Sequence, residues 1–148
     1  MLARTSAMAT RFHDAALKHY EGANLLLRHC VPNSSTHLAA EVVYLGGYAV
    51  ECLLKAKLFD IARQRRHRSL EREILSELGH DLEKLRLRLL QLKKPVTFPA
   101  ETLISFRRVH RLWAVEWRYS NRLVSTADAN AFLESVRQVA EWVLEHPL

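Results

Sequence analysis

The charged and ring-bearing side chains best spaced for chemistry lie on and around one apolar stretch. Glu51 and Lys55 stand one helical turn apart within it, at the spacing of an intrahelical ion pair. Such a pair is worth about 0.2–0.5 kcal/mol on an isolated helix, so one interpretation is a simple contact at a helix edge. The other is a partly buried Glu51, whose carboxylate then needs a partner from another helix. His80 and Arg118 are the candidates for that partner.

Two neighbouring pairs, His80 with Asp81 and Arg118 with Tyr119, add further candidate binding groups. Asp81 is equally well suited to capping a helix, because its side chain accepts hydrogen bonds from first-turn N–H groups. Tyr119 could stack on a nucleobase, although such a ring more often serves as a core or dimer contact. The binding candidates are therefore Glu51, Lys55, His80, Asp81, Arg118 and Tyr119.

The strongest charge cluster is a run of cations that we call the arginine patch: Arg63, Arg65, Arg66 and Arg68. Over the whole chain 22 Lys and Arg face 16 Asp and Glu, a formal net charge of +6. A basic cluster of this kind can bind the phosphates of RNA or nucleotides, or an acidic protein. The alternative is a solvated helix exit, where cations near the carbonyl end are favoured by a few tenths of a kcal/mol.

Several classes of site are not predicted. Two cysteines and scattered histidines give neither CxxC nor HExxH spacing, so no metal or other cofactor is expected. Glycine-rich phosphate loops are missing as well. The two cysteines fit a reducing cytoplasm. The first residues lack a secretory signal, and the longest uncharged apolar run, Val42 to Val50, is too short to cross a bilayer.

The elements that position these residues are all predicted to be helical, since only 4 Gly and 4 Pro interrupt a chain rich in helix formers. Ser35 or Thr36, Asp81 and Thr126 are predicted N-terminal caps, and Gly79 a C-terminal stop. No stretch alternates apolar and polar residues long enough to predict a strand. The predicted helices cover residues 7–30, 36–59, 69–78, 82–92, 99 to 117 or 119, and 127–146, with a loop over 118–125.

The second helix is predicted to be the centre of the fold, because its apolar residues form two faces. Gly46 and Gly47 would each cost roughly 1 kcal/mol against Ala inside it. Close approach of another helix, from this chain or a second copy, is the preferred explanation, and a kink is the alternative. We expect one all-α domain over 1–148, with about 1–7 frayed: an up-and-down bundle of four main helices plus one short helix.

Three segments resemble the HEPN family in order and spacing. Gly47–Ala56 is similar to the family's central helix, Gly79–Leu85 to its H-D/N-L-x-x-L segment, and Arg118-Tyr119 to its R-Y element. The resemblance implies a helical bundle that is commonly dimeric. It also implies a role as an RNA-cleaving toxin, an RNA- or nucleotide-binding effector, or the partner of a nucleotidyltransferase in a toxin–antitoxin pair.

Catalytic members of that family carry an Arg-x(4–6)-His motif, which this sequence lacks. Arg63 precedes His67 with three residues between them, and Arg107 precedes His110 with two. A ribonuclease active site is therefore not transferred from the resemblance.

We expect a cytoplasmic, HEPN-like binding or regulatory protein, without a membrane association. It would be a homodimer, and its partner would be RNA, a nucleotide or a nucleotidyltransferase. One alternative is a divergent metal-independent ribonuclease that combines Arg118 with His80 or His110. The other is a plain helical interaction module.

Overall fold

A computed structural model describes residues 7–92, 98–113 and 122–145, and these ranges confirm the all-α prediction. A 3₁₀ turn, Gln64–Arg66, precedes the third helix, and a π-helical turn, Ile74–Leu78, follows it. Two short strands, β1 (Ser35–Thr36) and β2 (Val124–Ser125), pair antiparallel. The described α-helices are α1 (Ala7–Arg28), α2 (His37–Ile61), α3 (His67–Glu73), α4 (Leu82–Leu92), α5 (Ala100–Leu112) and α6 (Thr126–Glu145).

Helix α2 is the centre of the core, as its two apolar faces predict. It contacts α1, α4, α5 and α6. Val42, Leu54 and Leu58 on it are completely buried. By length and composition alone α2 would pass for a membrane-spanning helix, yet most of that stretch is buried inside the protein. Its apolar character is therefore accounted for by packing within the bundle.

The two adjacent glycines of α2 accommodate two different neighbours from the same chain. A Cβ atom on Gly46 would lie 3.0 Å from Cε1 of Phe132 in α6, which confirms the predicted close approach of a helix. A Cβ atom on Gly47 would overlap the indole ring of Trp113. That indole donates its Nε1–H to the carbonyl oxygen of Tyr44 over 3.0 Å. At Gly47 the close neighbour is thus one aromatic side chain.

Several boundaries differ from the prediction. Helix α1 ends at Arg28, α2 extends to Ile61, and α5 ends at Leu112, well before the predicted 117. Trp113 has extended backbone angles, with φ −100° and ψ 128°. The chain turns away from the helix axis where the indole docks on α2, and apolar spacing carries no signal for such a turn. Six α-helices are described, one in each of the six predicted ranges, and the predicted grouping into four main helices plus one short helix is not confirmed.

The strands and one cap were also not anticipated. A pairing of two residues per strand is too short to produce an alternating sequence pattern. Helix α6 is capped by Ser125, whose hydroxyl accepts from the Asp128 N–H over 3.0 Å, and not by Thr126. Thr126 instead donates its hydroxyl to the Val31 carbonyl over 2.7 Å, because the strand pairing brings these loops together. The predicted caps at Thr36 and Asp81 are confirmed.

Candidate functional site

The candidate site is centred on the carboxylate of Glu51, which lies in the interior of the bundle. Oε2 accepts from Nζ of Lys55 over 3.2 Å, and Oε1 is 2.7 Å from Nδ1 of His80. The side chains of Glu51 and Lys55 are only 3% and 7% exposed, whereas that of His80 is 51% exposed. The structure confirms that Glu51 is buried and meets His80. It excludes the alternative of a pair at an exposed helix edge.

The hydrogen bond to Glu51 determines what His80 can do. A carboxylate oxygen only accepts, so the ring proton that it binds must be carried by Nδ1. In the neutral imidazole, Nε2 then holds a lone pair, and the side chain that carries it is half exposed. An imidazole nitrogen held in this way can take up a proton, donate one, or bind an anion once it is protonated.

A tight turn between the π-helical segment and α4 places His80 against α2. The N–H of Gly79 donates to the Ile74 carbonyl over 2.9 Å, and the N–H of Asp81 donates to the Leu78 carbonyl over 3.0 Å. Gly79 has φ +48° and ψ −121°. These angles match the first central position of a type II′ turn, which requires a positive φ. The predicted stop at Gly79 is confirmed, and His80 is the second central residue of the turn.

Aromatic rings surround the Glu51–His80 contact. The Tyr48 ring lies edge-on to the rings of His80 and Trp113, at centroid distances of 6.1 and 5.5 Å. It also contacts the ring of His19 on α1, at 5.4 Å. Burial lowers the pKa of His19, the cation of Lys18 lowers it further, and Glu51 acts in the opposite direction. Trp113 is 4% exposed, which identifies it as a core residue.

His19 and Tyr48 are site residues that the sequence argument missed. His19 lies three residues after Ala16 and four before Ala23, and both alanines are buried. That spacing puts His19 on the inward face of α1, and it is the signal that could have identified the residue. Tyr48 is three residues before Glu51 and therefore lies on the same side of α2.

An open cleft of about 590 Å³ begins at His80. His110 enters it from α5, with Nε2 3.8 Å from Oδ1 of Asp81. Lys84 and Arg111 add two cations that the sequence argument did not single out. Two imidazoles and two permanent cations therefore line one cleft. Its lining includes Glu77, His80, Asp81, Lys84, His110, Arg111 and Trp113.

The arginine patch lies apart from this cleft. Its four side chains are exposed in the 3₁₀ turn and at the start of α3. Glu51 is ten residues before the last residue of α2, which separates the two features by about 15 Å along the helix axis. None of the four guanidinium groups forms an ion pair with a residue of the described ranges.

Arg118 and Tyr119 lie outside the described residues, so the pairing of Arg118 with Glu51 stays a prediction. Burial, and after it the nearby Glu51 carboxylate, raise the pKa of the Cys52 thiol to about 11, which makes Cys52 a poor nucleophile. Within residues 7–92, 98–113 and 122–145, no group of three or more His, Cys, Asp or Glu side chains is arranged to hold a metal ion.

Comparisons with known proteins do not add a family to this geometry. The chain matches no protein-family model, no curated protein and no solved structure. The HEPN resemblance therefore remains a prediction from three short motifs. The features that bear on function are therefore the buried Glu51 network, the cleft beside it and the arginine patch.

Proposed function

We propose that this chain is a HEPN-like binding or regulatory protein that takes RNA or a nucleotide in the cleft beside His80. One observation carries the proposal: two imidazoles, His80 and His110, face the same cleft as the cations of Lys84 and Arg111. Phosphate oxygens are acceptors only, and they favour groups of this kind. The anchor of His80 on a buried carboxylate supports a pre-organised donor in that cleft.

The arginine patch supports a polymeric ligand over a free nucleotide. Some arginines of the described surface are neutralised: Arg88 binds Glu73 over 2.8 Å, and Arg137 binds both Glu134 and Glu141. The four arginines of the patch form no such ion pair with a described residue. Unpaired surface arginines attract phosphate backbones with little sequence preference.

The assembly around the site forms part of the same proposal. The four longest helices, α1, α2, α5 and α6, would run up and down in a bundle. The protein would act in the cytoplasm as a homodimer, with a nucleotidyltransferase as a candidate partner in a toxin–antitoxin pair. These features follow from the HEPN resemblance. Size-exclusion chromatography with light scattering tests the dimer, and co-purification with neighbouring gene products tests the partner.

Fluorescence anisotropy with a labelled single-stranded RNA, over a series of salt concentrations, tests ligand binding. Replacing both Lys84 and Arg111 by alanine should weaken binding about tenfold or more and reduce the salt slope by about 1.4, since each phosphate contact on a single strand contributes about 0.7. The double variant Arg88→Ala with Arg137→Ala removes two paired cations outside the cleft lining, so it is the charge-matched control and should leave the affinity unchanged. Absence of salt-dependent binding, or an equal loss in the control, would refute the proposal.

A divergent ribonuclease is the second candidate, and the pairing of each cleft histidine with a carboxylate favours it. Nε2 of His80 would take the proton of a ribose 2′-hydroxyl, and the 2′-oxygen would attack phosphorus. The bond from phosphorus to the 5′-oxygen would break, and His110 would protonate the departing oxygen. The products are a 2′,3′-cyclic phosphate and a 5′-hydroxyl. Arg111 or Arg118 would stabilise the charge on phosphorus.

Incubation of the protein with RNA in EDTA separates this reaction from binding alone. Cleavage that disappears in His80→Asn and in His110→Asn supports the ribonuclease. RNA that is bound but remains intact contradicts it and leaves the binding proposal standing.

A further inference from the structure

We propose that the π-helical turn and Gly79 are a positioning element that fixes His80 on Glu51 as the Nδ1–H tautomer and presents Nε2 to the cleft. The use of Nε2 for binding rests on the function proposed above. The tautomer itself is a property of the free protein and is tested without any ligand.

The π-helical turn leads directly into Gly79 and His80. Its closing hydrogen bond runs from the Gly79 N–H to the carbonyl of Ile74, five residues earlier. Turns of this kind are rare, hold one residue more than an α-helical turn, and recur at functional sites. In this one Ile74 and Leu78 stay buried while Leu75 is 80% exposed. The extra residue thus brings the end of the π-helical turn to α2 and leaves the side chain of Leu75 in solvent.

Gly79 has a backbone conformation that a residue with a side chain would not adopt easily. A Cβ atom at this position would have no heavy atom within 4 Å, so a side chain would have ample space. What excludes one is the backbone, because φ +48° with ψ −121° is a conformation that residues with side chains rarely adopt. Gly79 is required for the direction of the chain. Gly47 is the opposite case, since it is required for room against Trp113.

The turn is held at both ends. Leu78 and Leu82, on either side of it, are 7% and 1% exposed. Asp81 accepts from the N–H groups of Glu83 and Lys84 over 3.0 and 3.1 Å, which anchors the start of α4. His80 therefore has little freedom in its backbone, and its Nδ1 is directed at a carboxylate that is itself fixed by Lys55. Free imidazole exchanges between two tautomers, and this arrangement selects one.

Nitrogen-15 NMR of the uniformly labelled full chain tests the inference, at a pH of about 8, above the ordinary histidine pKa of about 6.5. Side-chain shifts distinguish a ring nitrogen that carries a proton from one that carries a lone pair. The chain has 8 histidines, and the spectrum of His80→Asn identifies the resonances of His80. The test variants are Gly79→Ala, Gly79→Asn and deletion of the exposed Ser76, which would return the π turn to an α turn.

The matched control is Gly22→Ala, where a Cβ would lie at an ordinary 3.6 Å from Cδ1 of Leu45. We expect the wild type and this control to show His80 with a protonated Nδ1 and an unprotonated Nε2. In Gly79→Ala and the Ser76 deletion the two shifts should move towards the averaged values of free imidazole. Gly79→Asn should fall between, because Asn tolerates positive φ better than Ala. Backbone amide shifts of α2 and α6 should remain native in all variants.

A wild-type His80 that is protonated at Nε2 would overturn the inference, as would Gly79→Ala with wild-type shifts. If Gly79→Ala does not fold, Gly79→Asn and the Ser76 deletion decide the matter by the same measurement. The proposed function fails separately. A fixed tautomer in a protein that binds no RNA refutes the binding role and leaves the positioning element established.

Discussion

Two carboxylate–histidine pairs each contribute a histidine to the same cleft, and they differ in the distance between the two groups and in the burial of the carboxylate. Glu51 and His80 are 2.7 Å apart, and the carboxylate is 3% exposed. Asp81 and His110 are 3.8 Å apart, and their side chains are 44% and 45% exposed. Charges in a low-dielectric interior interact strongly and are costly to leave alone, whereas water screens an exposed pair. The comparison indicates that the buried carboxylate of Glu51 maintains the fold, and that the exposed Asp81 and His110 are free to exchange partners.

The largest expected effect comes from removing the buried carboxylate. Glu51→Ala leaves the ammonium of Lys55 buried without its partner and releases His80, so it should lower the free energy of unfolding by about 3–5 kcal/mol. Urea unfolding followed by circular dichroism measures this change. Glu83→Ala, which breaks the more exposed pair with Arg86, is the control and should cost at most about 1 kcal/mol. Equal losses in the two variants would remove the distinction between buried and exposed pairs.

The next effect concerns Gly47, the glycine of α2 against which the Trp113 ring packs. Gly47→Ala places a methyl group in the indole ring and should cost about 1–3 kcal/mol, because a packed interior yields little. Gly46→Ala meets only the edge of Phe132, at 3.0 Å, and should cost less. Thermal unfolding of both variants checks the order. If Gly47→Ala is more stable than the wild type, Trp113 does not pack against Gly47.

A smaller effect is expected from the exposed carboxylate. Asp81→Ala should cost about 1 kcal/mol, and it should do so through the lost cap of α4 and not through His110. Asp81→Asn keeps an acceptor for the helix while removing the charge, so its free energy of unfolding should stay within about 0.5 kcal/mol of wild type. If Asp81→Asn is as unstable as Asp81→Ala, the ion pair with His110 matters more than its geometry indicates.

The smallest effect on stability is expected at His110. His110→Asn should change the free energy of unfolding by less than about 0.5 kcal/mol, as for most exposed positions. If the cleft binds RNA, the same variant should weaken binding, since an amide cannot take the positive charge that a protonated imidazole offers to a phosphate. Paired urea and anisotropy measurements compare the two quantities. A large loss of stability would show that His110 contributes to the fold as Glu51 does.

Local signals were sufficient for much of this molecule. The apolar rhythm of α2, the cap at Thr36, the stop at Gly79 and the α4 range were all predictable from neighbouring residues. The need of Glu51 for a partner from another helix was also predictable, since a carboxylate in an apolar helix is costly to leave unpaired, and His80 and Arg118 were the two candidates. The identity of that partner could not be decided, because the two residues are 29 positions apart and no local pattern records such a contact.

What the sequence could not provide depends on long-range geometry. The end of α5 is set by the docking of Trp113 on the carbonyl of Tyr44, 69 positions earlier. The π-helical turn differs from an α turn by one residue, too little to appear in apolar spacing. Lys84 and Arg111 look like ordinary surface cations until α4 and α5 bring them to one cleft.

The contact between Thr126 and Val31 has a consequence for how the chain folds. The two residues are 95 positions apart, and β1 and β2 pair beside them. Helices α1 and α2 are sequence neighbours with an extensive interface and can associate early, whereas closing so long a loop carries an entropic cost before any contact compensates for it. The tie at the start of α6 should therefore form after the folding transition state. Thr126→Val should accelerate unfolding and leave the folding rate nearly unchanged in stopped-flow experiments.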